Sequence, residues 1–470
     1  MRLRKLAIAA HRWLGVFFCL LFTQWFLSGI VMMYWSYPQV SPADRLARGP
    51  AIDAARIRVS PQRAWAATGS DDPPGRASLE TLAGRPAYRF DGRKIVYADT
   101  GEPLSEVSPE LGRKIAAQWT GLSEAQARFE GSVDTEDQWT VSGEFRRLRP
   151  LLKFSWPTGE EVYVSAVTAQ VEQYTTRGVR LAAWCGAIPH WLYFTSLRKN
   201  GALWSRVVIW SSGIATFAGM LGLVVGLWIA APARRIPYSG MKRWHTLLGL
   251  VFGIVACTWA FSGMLSMDPF PASGGDEAGP RIARALRGGT PDPALYAPRN
   301  ALARLDVPPK LLELATFAGN PVYIAHTGAR DVRIVPQHGD PAPQFDAGRI
   351  LAIAAKAADP ARIAESRLVT EYESYYIDRH GALPLPALFL RLDDPQRSMY
   401  YIDLKSARIV ARYGEISRWN RWLYHGLHSI DLPLLYRHRP VWDIAVLALM
   451  LGGVSLSLTS VALAWQFLRR

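Results

Sequence analysis

The sequence predicts a membrane protein built as an α-helical bundle of four transmembrane helices, with two α+β regions outside the bilayer. Three observations predict this fold class. Four apolar stretches each approach the ~20 residues needed to cross a hydrocarbon core. Long polar segments follow the first and the third stretch. Matching motifs recur in the two halves of the chain, which indicates an internal repeat.

The first apolar stretch raises the question of a cleaved signal peptide, because Arg2, Arg4 and Lys5 precede it. The stretch is longer than a signal peptide, contains His11, and lacks a small-residue cleavage site, so we expect it to be retained. Hydrophobic residues make up 49% of the whole chain, and they are densest in the four stretches. These are Leu6–Tyr34, Val207–Ala231, Trp244–Met267 and Val441–Leu468.

The predicted boundaries follow from these stretches. We place the transmembrane helices in residues 1–35, 204–231, 244–267 and 441–470. A short cytoplasmic loop occupies 232–243, and the two outer regions occupy 36–203 and 268–440.

Basic residues next to the predicted helices indicate the orientation. They occur at the start of the chain, in the loop between the second and third helices, and at the end: Arg2, Arg4, Lys5, Arg234, Arg235, Lys242, Arg243, Arg469 and Arg470. By the positive-inside rule these segments face the cytoplasm. We therefore expect a bacterial inner-membrane protein with both termini cytoplasmic and two large periplasmic segments. The formal net charge of +15 fits this topology and the attraction of a lipid bilayer, and does not require nucleic acid.

The outer segments show short helical patterns followed by alternating strands that end in turn residues. One example is Pro61–Ala67, followed by ASLETLAGRPAYRF and RKIVYADTGEPL. We expect small α+β modules with antiparallel sheets. The stretch 271–300, rich in Gly, Pro and Ala, predicts a loop or linker. Three cysteines do not make a disulfide framework, and we expect each to pack in apolar surroundings.

The repeat appears when the sequence is shifted on itself by roughly half its length. HRWLGVFFCLLFTQWFLSG at His11 then matches HTLLGLVFGIVACTWAFSG at His245. The paired positions include Gly15 with Gly249, Trp25 with Trp259, and Ser28-Gly29 with Ser262-Gly263. Near the second and fourth helices, Trp184, His190 and Trp204 match Trp422, His428 and Trp442.

Each half contains two spans, so the second half enters the membrane from the same side as the first. The halves are therefore predicted to be parallel repeats related by a pseudo-two-fold axis along the membrane normal. Such an axis places equivalent residues at equal depth, and matched histidines can face one another across it.

The motifs resemble those of the PepSY-associated transmembrane family, which includes inner-membrane ferric-siderophore reductases of the FoxB type. The resemblance covers nearly the whole chain. It is carried by HRWLG at His11, HTLLGL at His245, YADTGEPL at Tyr97, EYESYYIDRHGALPLP at Glu371, YYIDLKSARIV at Tyr400, RWLYHGLHSIDLP at Arg421 and RPVWD at Arg439. The resemblance implies PepSY-like periplasmic modules, haem b held by histidines, and reduction of ferric iron outside the cytoplasmic membrane.

The matched histidines are the candidate axial ligands of haem iron. His11 and His245 would hold one haem near the cytoplasmic side, and His190 and His428 a second near the outer surface, giving two haems in all. His425 lies three residues before His428 on the same helix face, so either ring could be the ligand, and symmetry favours His428. The alternative is that the histidines lie among lipid headgroups, as interfacial aromatic residues do.

Arginines near these histidines are candidates for binding haem propionates: Arg12 and Arg243 on the inner side and Arg421 on the outer side. Positive-inside topology or snorkelling explains the same residues equally well. The histidines without a matched partner, His326, His338, His380 and His438, and the acidic runs at Asp134 and Asp393, are expected to be solvated.

The chain shows no dinucleotide fingerprint, P-loop or HExxH motif. A haem-containing electron carrier of this sequence would need a separate electron donor, either a membrane quinol or a cytoplasmic reductase. The first functional hypothesis is reduction of a ferric siderophore or other ferric chelate that docks between the outer lobes. The second is a non-enzymatic membrane anchor whose modules bind a periplasmic peptide or protease at an exposed strand edge. No catalytic residue is assigned from the sequence.

Overall fold

The computed structural model describes residues 2–230, 236–269, 276–378 and 381–469. Four residues named above, Arg234, Arg235, His380 and Arg470, lie outside the described residues. The described helices, in chain order, are α1 Arg2–Met32, α2 Pro42–Arg48, α3 Pro61–Ala66, α4 Pro109–Thr120, α5 Arg177–Cys185, α6 Ala187–Trp191, α7 Thr195–Arg198, α8 Gly201–Ala230, α9 Gly240–Leu265, α10 Ala278–Arg287, α11 Pro298–Leu302, α12 Ala347–Ala358, α13 Glu415–Asn420, α14 Pro433–Tyr436 and α15 Val441–Leu468. A π-helix spans Arg421–Gly426.

The described strands are β1 Ala77–Leu82, β2 Arg85–Phe90, β3 Lys94–Tyr97, β4 Arg128–Val133, β5 Leu151–Ser155, β6 Glu161–Ser165, β7 Val171–Thr175, β8 Leu311–Phe317, β9 Asn320–His326, β10 Val332–Pro336, β11 Ile363–Val369, β12 Ala387–Leu392, β13 Met399–Asp403 and β14 Arg408–Tyr413. They form three sheets in which neighbouring strands run antiparallel.

Four of the described helices, α1, α8, α9 and α15, are long and apolar enough to cross a membrane. This confirms the prediction of four spanning helices. Most of their surface is not buried inside the protein, and leucine, valine and tryptophan side chains lie exposed along them. Such a surface is stable when lipid covers it.

The four spanning helices form an antiparallel bundle. At one end Arg4 at the start of α1 donates a hydrogen bond of 3.1 Å to the carbonyl of Trp228 near the end of α8. At the same end the ring of Trp13 packs edge-on against Phe467 near the end of α15. At the other end Tyr34 donates to Asp443 at the start of α15. Helices α1 and α9 therefore run one way, and α8 and α15 run the other.

One sheet of six strands contains β1–β3 from the first half of the chain and β8–β10 from the second. It forms because β1 pairs with β8 in antiparallel register. Ala77 faces Leu314, Leu79 faces Leu312, and Ser78 faces Glu313 between them. The sequence predicts two outer regions, one in each half of the chain. The structure instead joins them through backbone hydrogen bonds, which hydrophobic periodicity along one strand does not reveal.

Each half also contributes a four-stranded sheet of its own, β4–β7 in the first and β11–β14 in the second. One face of β5 and β6 buries Leu152, Phe154, Val162 and Val164 together with α4. The corresponding face of β12 and β13 packs in the same core as α10 and α12. The outer parts of the chain are therefore α+β, as expected.

The prediction of a loop or linker over 271–300 was wrong for the described residues 276–300. They contain α10, α11 and a short 3₁₀ turn. Ile282 and Leu286 on α10 are four residues apart and fully buried in the core of the second half. Arginine, glycine and proline around this short apolar pair hid the helical pattern.

The cysteines divide into two groups. Cys19 is buried and Cys257 is partly buried, as expected for packing within spanning helices. Cys185 is exposed, so the prediction that it packs in apolar surroundings was wrong. It is the last residue of α5, whose outward face also carries the exposed Trp184.

An ion-pair cluster connects the six-stranded sheet to β14. Glu313 on β8 accepts a hydrogen bond of 2.9 Å from His326 on β9, and its other oxygen pairs with Arg408 on β14. Burial raises the pKa of Glu313, but the hydrogen bond from His326 and the charge of Arg408 outweigh it and lower the pKa to about 2. His326 is therefore a strand residue, as expected, but its ring is hydrogen-bonded to Glu313 rather than solvated.

Stability should depend on Glu313 at acid pH. Its pKa is lower in the folded than in the unfolded chain, so its stabilisation is complete above the ordinary pKa of 4.5 and is lost as the pH falls towards 2. The loss should reach roughly 3 kcal/mol. We expect the Tm of the full chain in detergent to fall over this range, and Glu313→Gln to lower Tm at pH 7 and flatten its acid dependence. Glu102→Gln, at a largely exposed carboxylate, is the control and should change neither. Parallel pH profiles for wild type and Glu313→Gln would contradict this.

Candidate functional site

Two of the matched histidines, His190 and His428, meet at the end of the bundle where α5 and α13 lead into the sheets, and we call them the outer pair. His190 lies on α6, and His428 lies two residues beyond the π-helix. Their ring centroids are 6.0 Å apart, and the ring planes make an angle of 70°. The sequence placed these residues at matching positions, and the structure brings their rings together.

Each of these rings is anchored by a serine at a matching position of the preceding spanning helix. Ser28 Oγ on α1 lies 3.0 Å from Nδ1 of His190, and Ser262 Oγ on α9 lies 3.0 Å from Nδ1 of His428. The carbonyl of Trp25 is a second partner of this nitrogen and lies 3.2 Å from Nδ1 of His190. These serines belong to the Ser-Gly pairs that match in the two halves of the sequence.

The backbone on both sides of each outer histidine is also fixed. At His190, the side chain of Gln24 on α1 donates to the carbonyl of Pro189, and Trp204 on α8 donates to the carbonyl of Trp191. At His428, Trp259 on α9 donates to the carbonyl of Leu427, and Trp442 on α15 donates to the carbonyl of Ser429. The matched tryptophans fourteen residues after each histidine therefore hold the histidine's own turn in place.

A cavity of about 370 Å³ opens between these elements. Both His190 and His428 line it, with aromatic and aliphatic side chains of all four spanning helices, among them Phe22, Trp25, Phe26, Val208, Trp259 and Met450. This volume is in the range of sites that bind small molecules and cofactors. The outer histidine pair thus faces a largely apolar chamber.

The second matched pair meets at the opposite end of the bundle. His11 on α1 and His245 on α9 have ring centroids 6.2 Å apart and planes at 30°. Nδ1 of His11 lies 3.3 Å from the carbonyl of Ala218 on α8. Nδ1 of His245 lies 3.1 Å from Thr459 Oγ1 on α15. Each inner ring is therefore held by a spanning helix other than its own.

The partners of the four rings determine which nitrogen carries the proton. The carbonyls of Ala218 and Trp25 can only accept, so His11 and His190 donate through Nδ1. The hydroxyls of Ser262 and Thr459 donate hydrogen bonds to carbonyls of their own helices, and they therefore accept hydrogen bonds from His428 and His245. In the neutral form of each ring this arrangement places the lone pair on Nε2, the nitrogen through which such an imidazole binds a metal.

Glycines allow the rings their positions. A Cβ on Gly222 of α8 would lie 2.6 Å from Cε1 of His11. A Cβ on Gly29 would lie 3.5 Å from Cε1 of His190, and one on Gly263 would lie 3.7 Å from Cε1 of His428. Gly15, one helical turn beyond His11, faces open space. Gly222 therefore allows a candidate ligand, the ring of His11, to pack closely against α8.

His428, rather than His425, is the histidine of the second outer turn that faces His190. His425 is exposed and its ring packs on Tyr424, 4.5 Å away. The rings of His425 and His428 do not share one helix face as expected, because the π-helix over Arg421–Gly426 changes the rotation per residue.

The candidate propionate-binding arginines differ in their surroundings. Arg12 is exposed and its guanidinium lies over Phe467, 5.3 Å from the ring centroid, and Arg243 is exposed at the start of α9. Arg421 is only 3% exposed and donates to the carbonyls of Ser374 and Asp431. Its remaining nitrogen, Nη1, is buried without a hydrogen-bond partner among the described atoms. A carboxylate is the group that would satisfy such a donor.

The remaining candidate residues occupy ordinary structural positions. His338 and His438 are exposed. Asp137 in the first acidic run caps a turn through Thr140, and Asp394 beside Asp393 does the same through Ser398. Within the part of the chain that the structure describes, no group of three or more His, Cys, Asp or Glu side chains is arranged to hold a metal ion.

The paired rings fit a haem group. Two imidazoles that bind one metal from opposite sides each place a nitrogen about 2 Å from it, which separates their centroids by roughly 6 Å. The observed separations are 6.0 and 6.2 Å. A porphyrin would supply the other four ligands. The fit rests on this spacing and on the Nε2 lone pairs.

No protein-family model matches this chain, and no curated protein matches it. The functional assignment therefore rests on the residues of the chain and their geometry.

The sequence alone did not identify the groups that hold the rings. Ser28 and Ser262 were visible as matched positions, and their spacing of seventeen residues after each inner histidine was the available signal. Thr459 and the carbonyl of Ala218 gave no such signal, because they lie on helices whose rotation relative to α1 and α9 is set by packing.

Overpacking at Gly222 tests the position of the His11 ring. Gly222→Ala should displace this ring and destabilise the bundle by about 1–3 kcal/mol, measured as a lower Tm in detergent. Gly226→Ala is the matched control, because it gains the same helix propensity and meets only the flexible end of Leu250. In a His11→Ala background the penalty of Gly222→Ala should disappear. A penalty that persists there would place the clash elsewhere.

Proposed function

We propose that this chain is a haem-bearing electron-transfer protein of the inner membrane that reduces ferric iron, held by a siderophore or similar chelator, on the periplasmic side. The proposal rests on two histidine pairs, His11 with His245 and His190 with His428. Each pair comes from matching positions of the two halves, has the ring separation of axial ligands, and presents Nε2 lone pairs.

The residues of the chain perform distinct tasks in this proposal. His11 and His245 would hold one haem b, and His190 and His428 a second, with Arg421 available to a propionate of the outer one. When bound, haem supplies one-electron transfer between Fe(II) and Fe(III). Ser28, Ser262, Thr459 and the carbonyl of Ala218 keep the rings oriented and hold the N–H of each ring at Nδ1. The apolar walls of the outer cavity exclude water.

Two sites rather than one suit transfer across a membrane. His11 precedes Ser28, the anchor of the outer pair, by seventeen residues on α1. At about 1.5 Å per residue this separates the two levels by roughly 25 Å, most of the thickness of a hydrocarbon core. Electron tunnelling weakens steeply with distance, so an intermediate site at each membrane face favours transfer from one side to the other.

The proposed orientation places the inner pair at the cytoplasmic side, because Arg2, Arg4, Lys5, Lys242, Arg243 and Arg469 lie at that end of the bundle. The sheets then lie in the periplasm as PepSY-like modules, and the two halves are parallel repeats. The symmetric pairing of β1 with β8 about Ser78 and Glu313 supports such an axis.

The reaction at the outer face adds one electron to Fe(III) of the chelate and gives Fe(II), which oxygen-rich chelators hold less tightly. The electron comes from a quinol or a cytoplasmic reductase. The six-stranded sheet occupies the space between the first modules of the two halves, where we expected the chelate to dock. We therefore expect docking closer to the outer histidine pair.

Haem binding can be tested by visible spectroscopy. The protein purified in mild detergent should show b-type bands in the dithionite-reduced minus oxidised spectrum, with two haems per chain. His11→Ala and His190→Ala should each remove one haem and leave the other, because each destroys one pair. His425→Ala is the matched control and should keep both. A colourless protein would instead favour the membrane anchor that binds a periplasmic peptide.

Reduction of a ferric chelate can be tested in vesicles. Proteoliposomes supplied with a quinol should convert an external ferric siderophore to Fe(II), trapped by a coloured ferrous chelator. His190→Ala should reduce the rate to that of empty vesicles, because the outer site is lost, whereas His338→Ala at an exposed loop should not. Wild-type vesicles with full haem content and no Fe(II) production, with quinol or with a cytoplasmic reductase as donor, would disprove the substrate assignment.

A further inference from the structure

The two histidine pairs differ in the mutual orientation of their rings. The inner planes make an angle of 30°, whereas the outer planes make an angle of 70°. Their centroid separations are nearly equal, so the two pairs differ chiefly in the angle between the ring planes. The inference drawn from it rests on the proposed haem function and concerns the electronic character of the two sites.

The chain fixes each ring plane through specific contacts. The outer rings are held at Nδ1 by Ser28 and Ser262. The inner rings are held at Nδ1 by the carbonyl of Ala218 and by Thr459. A ring anchored at Nδ1 and coordinated at Nε2 has little freedom to rotate, so the angles should persist when a metal is bound.

The outer pair departs from symmetry because the two halves differ around it. His190 lies on an ordinary α-helical turn, whereas His428 follows a π-helix. The ring of Tyr424 packs 5.6 Å from that of His428, and Gly186 occupies the corresponding position in the first half. At this position an aromatic side chain therefore packs against the His428 ring, and the glycine of the first half offers none to His190.

Ring orientation matters because an imidazole donates electron density from a π orbital perpendicular to its plane. Two nearly parallel rings act on the same iron dπ orbital and split the pair of dπ levels. Two nearly perpendicular rings act on different dπ orbitals and leave the levels almost equal. The ferric state gains less from the second arrangement, which raises the reduction potential. Ligand orientation is thus a means by which a protein tunes haem iron.

We propose that the chain holds two electronically distinct iron sites, a rhombic inner site at His11 and His245 and a nearly axial outer site of higher potential at His190 and His428. Ser28, Ser262 and Tyr424 are the positioning residues of the outer site. The order of potentials favours residence of the electron at the periplasmic side, where the acceptor binds.

The experiment is low-temperature EPR of the fully oxidised protein that carries both haems. We expect two low-spin ferric signals, one rhombic and one with a larger maximal g value and broad remaining features. His11→Ala should leave the large-g signal alone, and His190→Ala should leave the rhombic signal alone. During stepwise reduction the large-g signal should disappear first.

The positioning role is tested by Ser262→Ala and Tyr424→Ala, with haem content measured in parallel. Each should shift the large-g signal towards the rhombic one and leave the inner signal unchanged, because the His428 ring is free to turn. Ser262→Thr, which restores a hydroxyl, should recover the wild-type signal. Ser455→Ala, at an exposed serine on α15, is the control and should change neither signal.

The outcomes separate this inference from the function on which it rests. Two haems with indistinguishable rhombic signals would overturn the inference and leave the haem protein standing. A large-g signal that disappears in His11→Ala would assign it to the wrong pair and also overturn it. Absence of haem would overturn the proposed function itself, and the inference with it.

Discussion

An imidazole N–H placed inside an apolar helix bundle must have an acceptor, and this constraint organises the membrane part of the molecule. Burying an unpaired polar group costs several kcal/mol where no water can reach it. Each of the four matched histidines meets the requirement with Nδ1, and each acceptor belongs to a spanning helix different from the histidine's own element. The histidines therefore help to fix how the helices are rotated against one another, and the same contacts place the N–H of each ring at Nδ1.

The turns that carry His190 and His428 are also held by hydrogen bonds from the spanning helices. The tryptophans at the starts of α8 and α15 donate to the carbonyl that follows each outer histidine, so each of these helices is tied to the turn that carries the histidine. Arg421 continues the connection by donating to the carbonyl of Ser374. The position of the outer rings thus depends on both the spanning helices and the second α+β region.

The sequence was sufficient for the four spans, because about twenty apolar residues have few alternatives to a membrane helix. It also anticipated that His11 would meet His245 and that His190 would meet His428, since repeated motifs constrain long-range geometry that a single motif does not. It failed where the outcome depended on contacts between distant segments. The pairing of β1 with β8 and the core position of Ile282 are decided by surfaces elsewhere in the chain. The anchoring role of Thr459 likewise depends on helix rotation, which periodicity does not specify.

The strand pair at the centre of the six-stranded sheet has a consequence for how the molecule could have arisen. A strand that pairs with its own equivalent sets one position of each copy against the same position of the other, as in an isologous dimer. Two identical half-length chains with glutamate there would bring carboxylates together, which is unfavourable. Joining the halves in a single polypeptide removes that restriction, because one position can remain serine while the other acquires a charge. Ser78 and Glu313 show this difference, so Glu313 pairs with Arg408 while a neutral serine, not a second carboxylate, lies opposite it in the sheet.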